Sequence, residues 1–355
     1  MYKKITDFSL RLFSKTVESD KNTLIAPVGV VNILAMLANG AKSGTKTQIE
    51  TALGAKLEQL NKFIKDFFAD GGKTLKNAGG IWVNAAAKLR PEKDFTGAMK
   101  KYYSAEIKEC AFDENAAADI NSFTKEHTDG MIDKIIDGLD PRDVMIMLNA
   151  LCFDARWDER YKDDDIEPGI FTDIDGRKTE TDMMCSEENI FIKTEEATGF
   201  AKLYKGGKYE FVALLPNENI NAVDYAKSLT GEKFENALKT ALCTPVKVQI
   251  PEFATDYERN NLKNTLISMG ISDIFDSQKS DLTAIGENLF VGKIKQKAYI
   301  KTDRKGTKAA RATMAQIRVM SLMRTEFVAL DRPFVYAVCK SENHTPLFIG
   351  TVIKI

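Results

Sequence analysis

The order of helix-like and strand-like segments constrains the fold of this 355-residue chain more than any other feature. In the first third, apolar residues recur at helical spacing, which predicts helices within residues 28–39, 57–68 and 120–136, the first ending at Gly40 as its C-cap. Residues 144–153 then form a continuous apolar run in which Asn149 is the single polar residue. This pattern is typical of a strand covered on both faces. Helices first and strands later, without regular alternation, predict an α+β fold with mostly antiparallel sheets.

Further strands are predicted in the second half of the chain, at residues 209–215, 246–250, 289–291, 298–301, 333–339 and 347–355. No internal repeat, low-complexity tract or proline-rich linker interrupts the sequence. We therefore expect a single domain over residues 1–355.

The charge balance argues against two classes of partner. Fifty Lys and Arg residues stand against 51 Asp and Glu residues, a net charge of −1, which does not favour nucleic-acid binding. The longest nearly apolar run, residues 28–38, is too short to span a membrane. The basic start at Met1 has no apolar stretch behind it, so we expect either a cytosolic protein or a mature chain without its leader.

Cysteine and histidine usage limits the chemistry available to this chain. The five cysteines are odd in number and widely spaced, which is typical of buried free thiols rather than of a disulfide framework or zinc site. The only candidate bases for a Ser-His or Cys-His nucleophile are His127 and His344, and both are interpreted as solvated surface residues. We predict no catalytic residue, no metal and no cofactor, although a site built from carboxylates alone is left open.

Residues 304–326 fit no regular element. The first half of this segment is small and alanine-rich, and its second half is apolar, basic and free of Gly and Pro. A long connection between two predicted strands is usually functional or disordered. The alternative is an ordinary surface helix, which Ala, Arg and Met favour.

This segment resembles the reactive-centre loop of a serpin, and the rest of the chain agrees from end to end. The matching motifs follow the order of the family: Asn22-Thr23-Leu24-Ile25-Ala26-Pro27, Leu37-Ala38-Asn39-Gly40-Ala41, Ile120-Asn121-x-Phe123, Thr128-x-Gly130-x-Ile132, Leu148-Asn149-Ala150-x-x-Phe153-x-x-x-Trp157, Met183-Met184, Leu215-Pro216, Met269-Gly270-Ile271-x-Asp273-x-Phe275 and Leu347-Phe348-x-Gly350. Each match alone is weak, but together they are very specific.

The resemblance implies one serpin domain with three β-sheets, eight or nine helices and an exposed reactive-centre loop at about residues 304–326. It also implies a suicide-substrate inhibitor of serine proteases. A protease attacks the loop and forms an acyl-enzyme, and the cut loop inserts as a new strand into the large sheet, which deforms the protease. Such a protein needs no catalytic residue of its own.

The same resemblance implies a reactive bond and a hinge. Family loop length places the bond at Met320–Ser321, sixteen residues after the first hinge position, Arg304, which suits elastase-like or chymotrypsin-like proteases; Arg318 and Arg324 are the rivals for trypsin-like enzymes. The hinge and the start of the loop comprise Arg304, Gly306, Thr307, Ala309, Ala310, Arg311, Ala312 and Thr313. Most of these side chains are small, as insertion between strands requires.

The region where the sheet opens departs from the family pattern. The residues assigned to this region are Asn149, Trp157, Glu252 and Gln296. The family usually has serines where this chain has Ala26 and Gly29, and a histidine at the position of Gln296, so we expect its polar network to be rebuilt as an Asn149–Gln296 amide pair. Arg304 and Glu252 both invert the usual family charges, which predicts an ion pair between them.

Two other functional classes are alternatives to inhibition. The first is a non-inhibitory serpin that acts as a carrier, storage or chaperone protein, and the second is an unrelated hydrolase, which lacks a credible base. The expected partner is a serine protease held covalently, with no nucleic-acid or membrane partner. We expect a monomer that acts outside the cell, with a cytoplasmic site as the alternative.

Overall fold

The computed structural model describes residues 1–69, 74–140, 142–259, 262–292, 294, 296–304 and 325–355. Nine α-helices lie within these ranges: α1 Tyr2–Ser14, α2 Pro27–Gly40, α3 Ser43–Leu53, α4 Leu57–Ala69, α5 Lys93–Tyr103, α6 Glu114–His127, α7 Ala222–Ser228, α8 Gly231–Lys239 and α9 Lys263–Ser268. None of these helices has the length and hydropathy needed to cross a membrane.

The same ranges contain fifteen strands: β1 Thr23–Ile25, β2 Leu75–Asn84, β3 Glu106–Cys110, β4 Met145–Phe153, β5 Ile166–Thr172, β6 Lys178–Glu188, β7 Ile190–Lys193, β8 Ala197–Leu203, β9 Tyr209–Pro216, β10 Val246–Pro251, β11 Phe253–Arg259, β12 Gln296–Thr302, β13 Glu326–Ala329, β14 Phe334–Lys340 and β15 Pro346–Val352. The expected mixed α+β class is confirmed.

The described strands form three sheets. A six-stranded sheet has the order β1-β15-β14-β9-β8-β7, and a four-stranded sheet has the order β13-β10-β6-β5. The large sheet has two hydrogen-bonded parts, β3-β2-β4 and β12-β11, which meet where β12 lies beside β4. The predicted exposed loop joins β12 to β13, so it connects the large sheet to the four-stranded one.

Helix α2 supports these sheets from inside the core. Pro27 begins the helix at a position where its missing N–H costs no hydrogen bond, and nearly every later residue of the helix is buried. Gly40 is the last helical residue rather than the predicted C-cap, and a side chain there would overlap Ile285. The expectation of a glycine cap was therefore wrong; the position requires close packing.

Two predictions about strands were also wrong. Residues 289–291 are not a strand, because the amide of Val291 bonds to the carbonyl of Ile274 outside any ladder and Phe290 is half exposed. The first third also contains three strands, β1, β2 and β3, and β2 pairs antiparallel with β4 from Leu75 to Val83. Asn77, Gly79 and Gly80 interrupt the apolar alternation of β2, so the sequence pattern does not reveal it.

The interpretation of both histidines as solvated holds only for His127, which is exposed at the end of α6. His344 lies in the turn between β14 and β15, and its Nδ1 is 2.5 Å from Oε1 of Glu210, a buried carboxylate of β9. This hydrogen bond raises the pKa of His344 above its usual value, against an opposing effect of burial. A protonated His344 therefore neutralises a charge inside the six-stranded sheet.

We predict that this pair makes stability depend on pH. Because folding raises the pKa of His344, the stabilisation is fully present below about pH 6.5 and is lost as the pH rises through the raised pKa. Thermal melts between pH 5.5 and 8.5 should show a fall in Tm that His344→Gln removes and that the matched variant His127→Gln leaves in place. Identical pH profiles for wild type and His344→Gln would contradict this assignment.

Candidate functional site

Arg304, the first predicted hinge residue, is fixed by Glu252. The Nε of Arg304 donates to Oε1 of Glu252 at 2.8 Å, and the backbone N–H of Arg304 donates to the same oxygen at 3.1 Å. Glu252 lies between β10 and β11, and Arg304 lies two residues beyond β12. The contact predicted from the inverted charges is thus present.

A second carboxylate at the hinge was missed by the sequence analysis. The Nη2 of Arg304 donates to the carboxylate of Asp182 in β6. The register that pairs Pro251 with Met183 continues by one step, because the amide of Glu252 donates to the carbonyl of Asp182. The pKa of Arg304 is raised above its usual value, mainly by the hydrogen bond to Glu252 and next by the hydrogen bond to Asp182. Only strand pairing identifies Asp182, so no local sequence signal points to it.

Trp157 holds the residue before the hinge. Its indole Nε1 donates to the carbonyl of Asp303 at 3.2 Å. The indole is 3% exposed and stacks on Tyr204, with ring centroids 4.5 Å apart and planes inclined by 8°. The end of β12 is therefore fixed at two consecutive residues, Asp303 through its carbonyl and Arg304 through its guanidinium.

The expected Asn149–Gln296 amide pair is not formed. Gln296 donates from Nε2 to the carbonyl of Ala26 at 2.7 Å and accepts from the amide of Ala26 at 3.3 Å. Asn149 instead donates from Nδ2 to Oδ1 of Asn77 in β2 at 2.6 Å. The amide of Gln296 is committed to the backbone at the start of α2, which leaves Asn149 to bond within its own part of the sheet.

Gly29 provides the space for this arrangement. A Cβ at Gly29 would lie 2.8 Å from Oδ1 of Asn149 and 3.7 Å from Nε2 of Gln296. Oδ1 of Asn149 is buried and has no hydrogen-bond partner among the described residues. A larger residue at position 29 would have to displace the Asn149 side chain.

In the part of the chain that the structure describes, the facing edges of β4 and β12 are not paired. The outer edge of β4 pairs with β2, and that of β12 pairs with β11, but over the described residues the two strands exchange no hydrogen-bonded ladder. A cavity of about 450 Å³ continues along β4 towards the residues that precede β12. Apolar side chains dominate its lining, including Ile33, Leu37, Ile135, Met147, Leu289 and Val291.

The remaining predicted site residues, Gly306, Thr307, Ala309, Ala310, Arg311, Ala312, Thr313, Met320 and Ser321, lie outside the described residues. Of the predicted set, the structure brings together Arg304 and Glu252. Trp157 bonds to Asp303, the residue that precedes Arg304. Asn149 and Gln296 do not bond to each other and have different hydrogen-bond partners.

Comparison with known proteins gives one consistent result. The family model described as Serpin (serine protease inhibitor) matches residues 3–355. The native state of Tengpin, a thermophilic serpin, is 37% identical with a TM-score of 0.91, covering 100% of this chain and 94% of that chain. Its latent state has a TM-score of 0.87 at the same identity, covering 100% and 97%. Leukocyte elastase inhibitor A of Mus musculus is 27% identical over 98% of this chain and 97% of that protein.

We predict that Arg304 and its two carboxylates are energetically coupled. In a double-mutant cycle on Arg304→Ala and Glu252→Ala, the free energy of unfolding should show a favourable interaction, because both single changes remove the hydrogen bond from Nε of Arg304 to Oε1 of Glu252. A second cycle with Asp182→Asn should show a smaller one, because Asp182 is the more exposed of the two acids.

Denaturant titrations at low and high salt measure both couplings, which should weaken as salt screens the charges. The matched control is Lys233→Ala with Glu196→Ala, an exposed pair on other elements. Zero coupling between Arg304 and Glu252 would contradict a held hinge.

Proposed function

The chain belongs to the serpin family of serine protease inhibitors, and we propose that it is itself a suicide-substrate inhibitor that traps a protease by inserting its loop into the large sheet. Members of this family are mostly inhibitors rather than catalysts. We further propose that elastase-like or chymotrypsin-like enzymes are the targets and that this chain catalyses no reaction of its own.

The proposed reaction begins at the bond between Met320 and Ser321. The hydroxyl oxygen of the protease's serine attacks the carbonyl carbon of Met320, an ester forms, and the Met320–Ser321 amide bond breaks. The amine of Ser321 takes the proton and leaves as a new N-terminus. Insertion of the loop then moves the esterified protease away before water can hydrolyse the ester.

The observation that carries this proposal is the unpaired boundary between β4 and β12. A strand placed there would supply hydrogen bonds to both free edges, and strand addition gains affinity chiefly from such main-chain bonds. In the sequence the loop follows directly after β12, the strand that forms one side of that boundary. The cavity along β4 provides further apolar volume for the inserted strand.

A gel experiment tests the proposal. Mixing the protein with neutrophil elastase or chymotrypsin should give a band that survives denaturation, at the summed mass of the two proteins less the released peptide of residues 321–355. Cleavage without that band would reject inhibition and favour the carrier, storage or chaperone alternative. Size-exclusion chromatography and cell fractionation test the accompanying expectations of a monomer and of action outside the cell.

The identity of Met320 should set the specificity. We predict that Met320→Arg loses inhibition of elastase-like enzymes by about tenfold or more and gains inhibition of trypsin, because a primary specificity pocket that accepts methionine does not favour a guanidinium. Association rates measured against both enzymes check this.

The matched variant for the Met320 prediction is Arg318→Met, which tests the rival register. If that variant, rather than Met320→Arg, changes which protease is inhibited, the reactive bond is misassigned. Mass spectrometry of the released C-terminal peptide identifies the cleaved bond directly.

Arg311 should reduce the efficiency of trapping. In an inserted strand, Thr307, Ala309, Arg311 and Thr313 share one face, and this face would turn towards the interior. Burial of an unpaired guanidinium there costs several kcal/mol, although its long stem lowers the cost by reaching a carboxylate or water. Arg311→Ala should therefore lower the number of inhibitor molecules consumed per protease trapped.

The control for the Arg311 prediction is Lys308→Ala, which removes a neighbouring positive charge from the opposite face. The stoichiometry of inhibition should stay near the wild-type value in this control. An unchanged or higher stoichiometry for Arg311→Ala would mean that an acidic partner already accommodates the guanidinium.

A further inference from the structure

Lys202 of β8 is a buried cation close to the hinge. It is 3% exposed, and its Nζ donates to Oε1 of Glu188 at 2.5 Å and to the hydroxyl of Ser186 at 3.3 Å. The same ammonium lies 4.8 Å from the ring centroid of Tyr161 and 5.4 Å from that of Trp157. Two aromatic rings and one carboxylate thus surround this single charge.

Stability alone does not account for this arrangement. Removing an ammonium and a carboxylate from water costs several kcal/mol, and a well-packed apolar pair is often as stable or more stable. A buried ion pair with cation–π contacts does fix geometry, because displacement of either partner leaves a charge unpaired. The question is therefore which group Lys202 holds in place.

Trp157 is the group that connects Lys202 to the hinge. The segment around Trp157 pairs with the residues that follow Lys202, since the amide of Asp158 donates to the carbonyl of Leu203 and the amide of Lys205 donates to the carbonyl of Arg156. The indole stacks on Tyr204, and its Nε1 reaches the carbonyl of Asp303.

Strand β6 forms a second connection. Ser186 and Glu188, which hold the ammonium, lie in the same strand as Asp182, which accepts from Arg304. Tyr161 is tied to this strand as well, because its hydroxyl is 3.1 Å from that of Ser186. Lys202 therefore contacts Trp157 directly, and it also bonds to the strand that carries Asp182.

We propose that Lys202 is a positioning residue for loop insertion: it holds the Trp157 indole so that Nε1 stays on the Asp303 carbonyl while the next residues enter the sheet. This inference rests on the proposed function. It assigns Lys202 no contact with the protease, so the rate of acylation should not depend on Lys202. Only the rate of loop insertion, which follows acylation, should depend on it.

The test replaces the ion pair without leaving a charge unpaired. In Lys202→Met/Glu188→Gln, the cation is lost but an apolar side chain remains at position 202. The Ser186 hydroxyl, which donates to Oε1 of Glu188 at 2.7 Å, can still donate to the amide oxygen at position 188. We expect loop insertion to slow by about two- to fivefold, the effect of one or two cation–π contacts on a barrier. The stoichiometry of inhibition should rise, while the rate of initial cleavage stays at the wild-type value.

Two matched variants separate positioning from stability. Lys202→Arg keeps a cation between the rings and should retain the wild-type stoichiometry. Lys233→Met removes an exposed lysine that pairs with Glu196 and should leave insertion unchanged. Should the double variant not fold, Tyr161→Leu keeps the ion pair, removes one ring and should slow insertion in the same way.

The test remains decisive if the wild type traps no protease. The loop is then nicked with papain, and the rate at which the melting temperature rises reports insertion directly. A slower rise in the double variant supports the proposal even though inhibition has failed. Insertion as fast as in wild type, with or without a lower Tm, would overturn it, as would a wild-type chain whose melting temperature does not rise after cleavage.

Discussion

Strands β4 and β12 lie side by side in the large sheet, yet over the described residues neither satisfies the backbone groups on the facing edge of the other. Buried N–H and C=O groups are nearly always paired in folded proteins, so an open edge favours the addition of a strand. The rest of the structure limits how this edge is filled, because the opposite edges are already occupied by β2 and β11. Among the described strands of the large sheet, an added strand could therefore form hydrogen bonds on both of its sides only between β4 and β12.

The polar side chains Asn149 and Gln296 form no hydrogen bond that would hold β4 and β12 together. Asn149 bonds to Asn77 within its own part of the sheet, and Gln296 bonds to the backbone of Ala26 at the start of α2. Moving β4 away from β12 breaks neither of these bonds, whereas an amide pair across the boundary would have to be exchanged for water or for new partners. Separation at this level is therefore opposed mainly by the loss of apolar packing.

Local patterns predicted some of the elements, but they did not predict which residues strand pairing brings together. The apolar run of β4 and the inverted charges of Arg304 and Glu252 were readable in the sequence, and both are present. Asp182 was not, because its role depends on the register of β6 with β10. Lys202 was not either, because one lysine in an apolar strand gives no sign that the fold encloses it in aromatic rings. The interrupted alternation of β2 concealed a strand for the same reason, since its partner β4 supplies the context that its own residues lack.

The charges around the hinge differ in burial, and this difference matches what each must do. Arg304 and its two acids are partly exposed, so water can replace their hydrogen bonds as the chain leaves them. The Lys202 and Glu188 side chains are only 3% and 13% exposed, and separating them would leave the buried lysine charge without its partner. Loop insertion requires that the hydrogen bonds of Arg304 to its two acids break. It also requires that the Lys202–Glu188 pair stays intact, because the residues beside the inserting strand must keep their positions. A solvent-exposed lysine at position 202 would not position the Trp157 indole. A fully buried ion pair at Arg304 would oppose release of the hinge, because breaking it would leave charges unpaired in the interior.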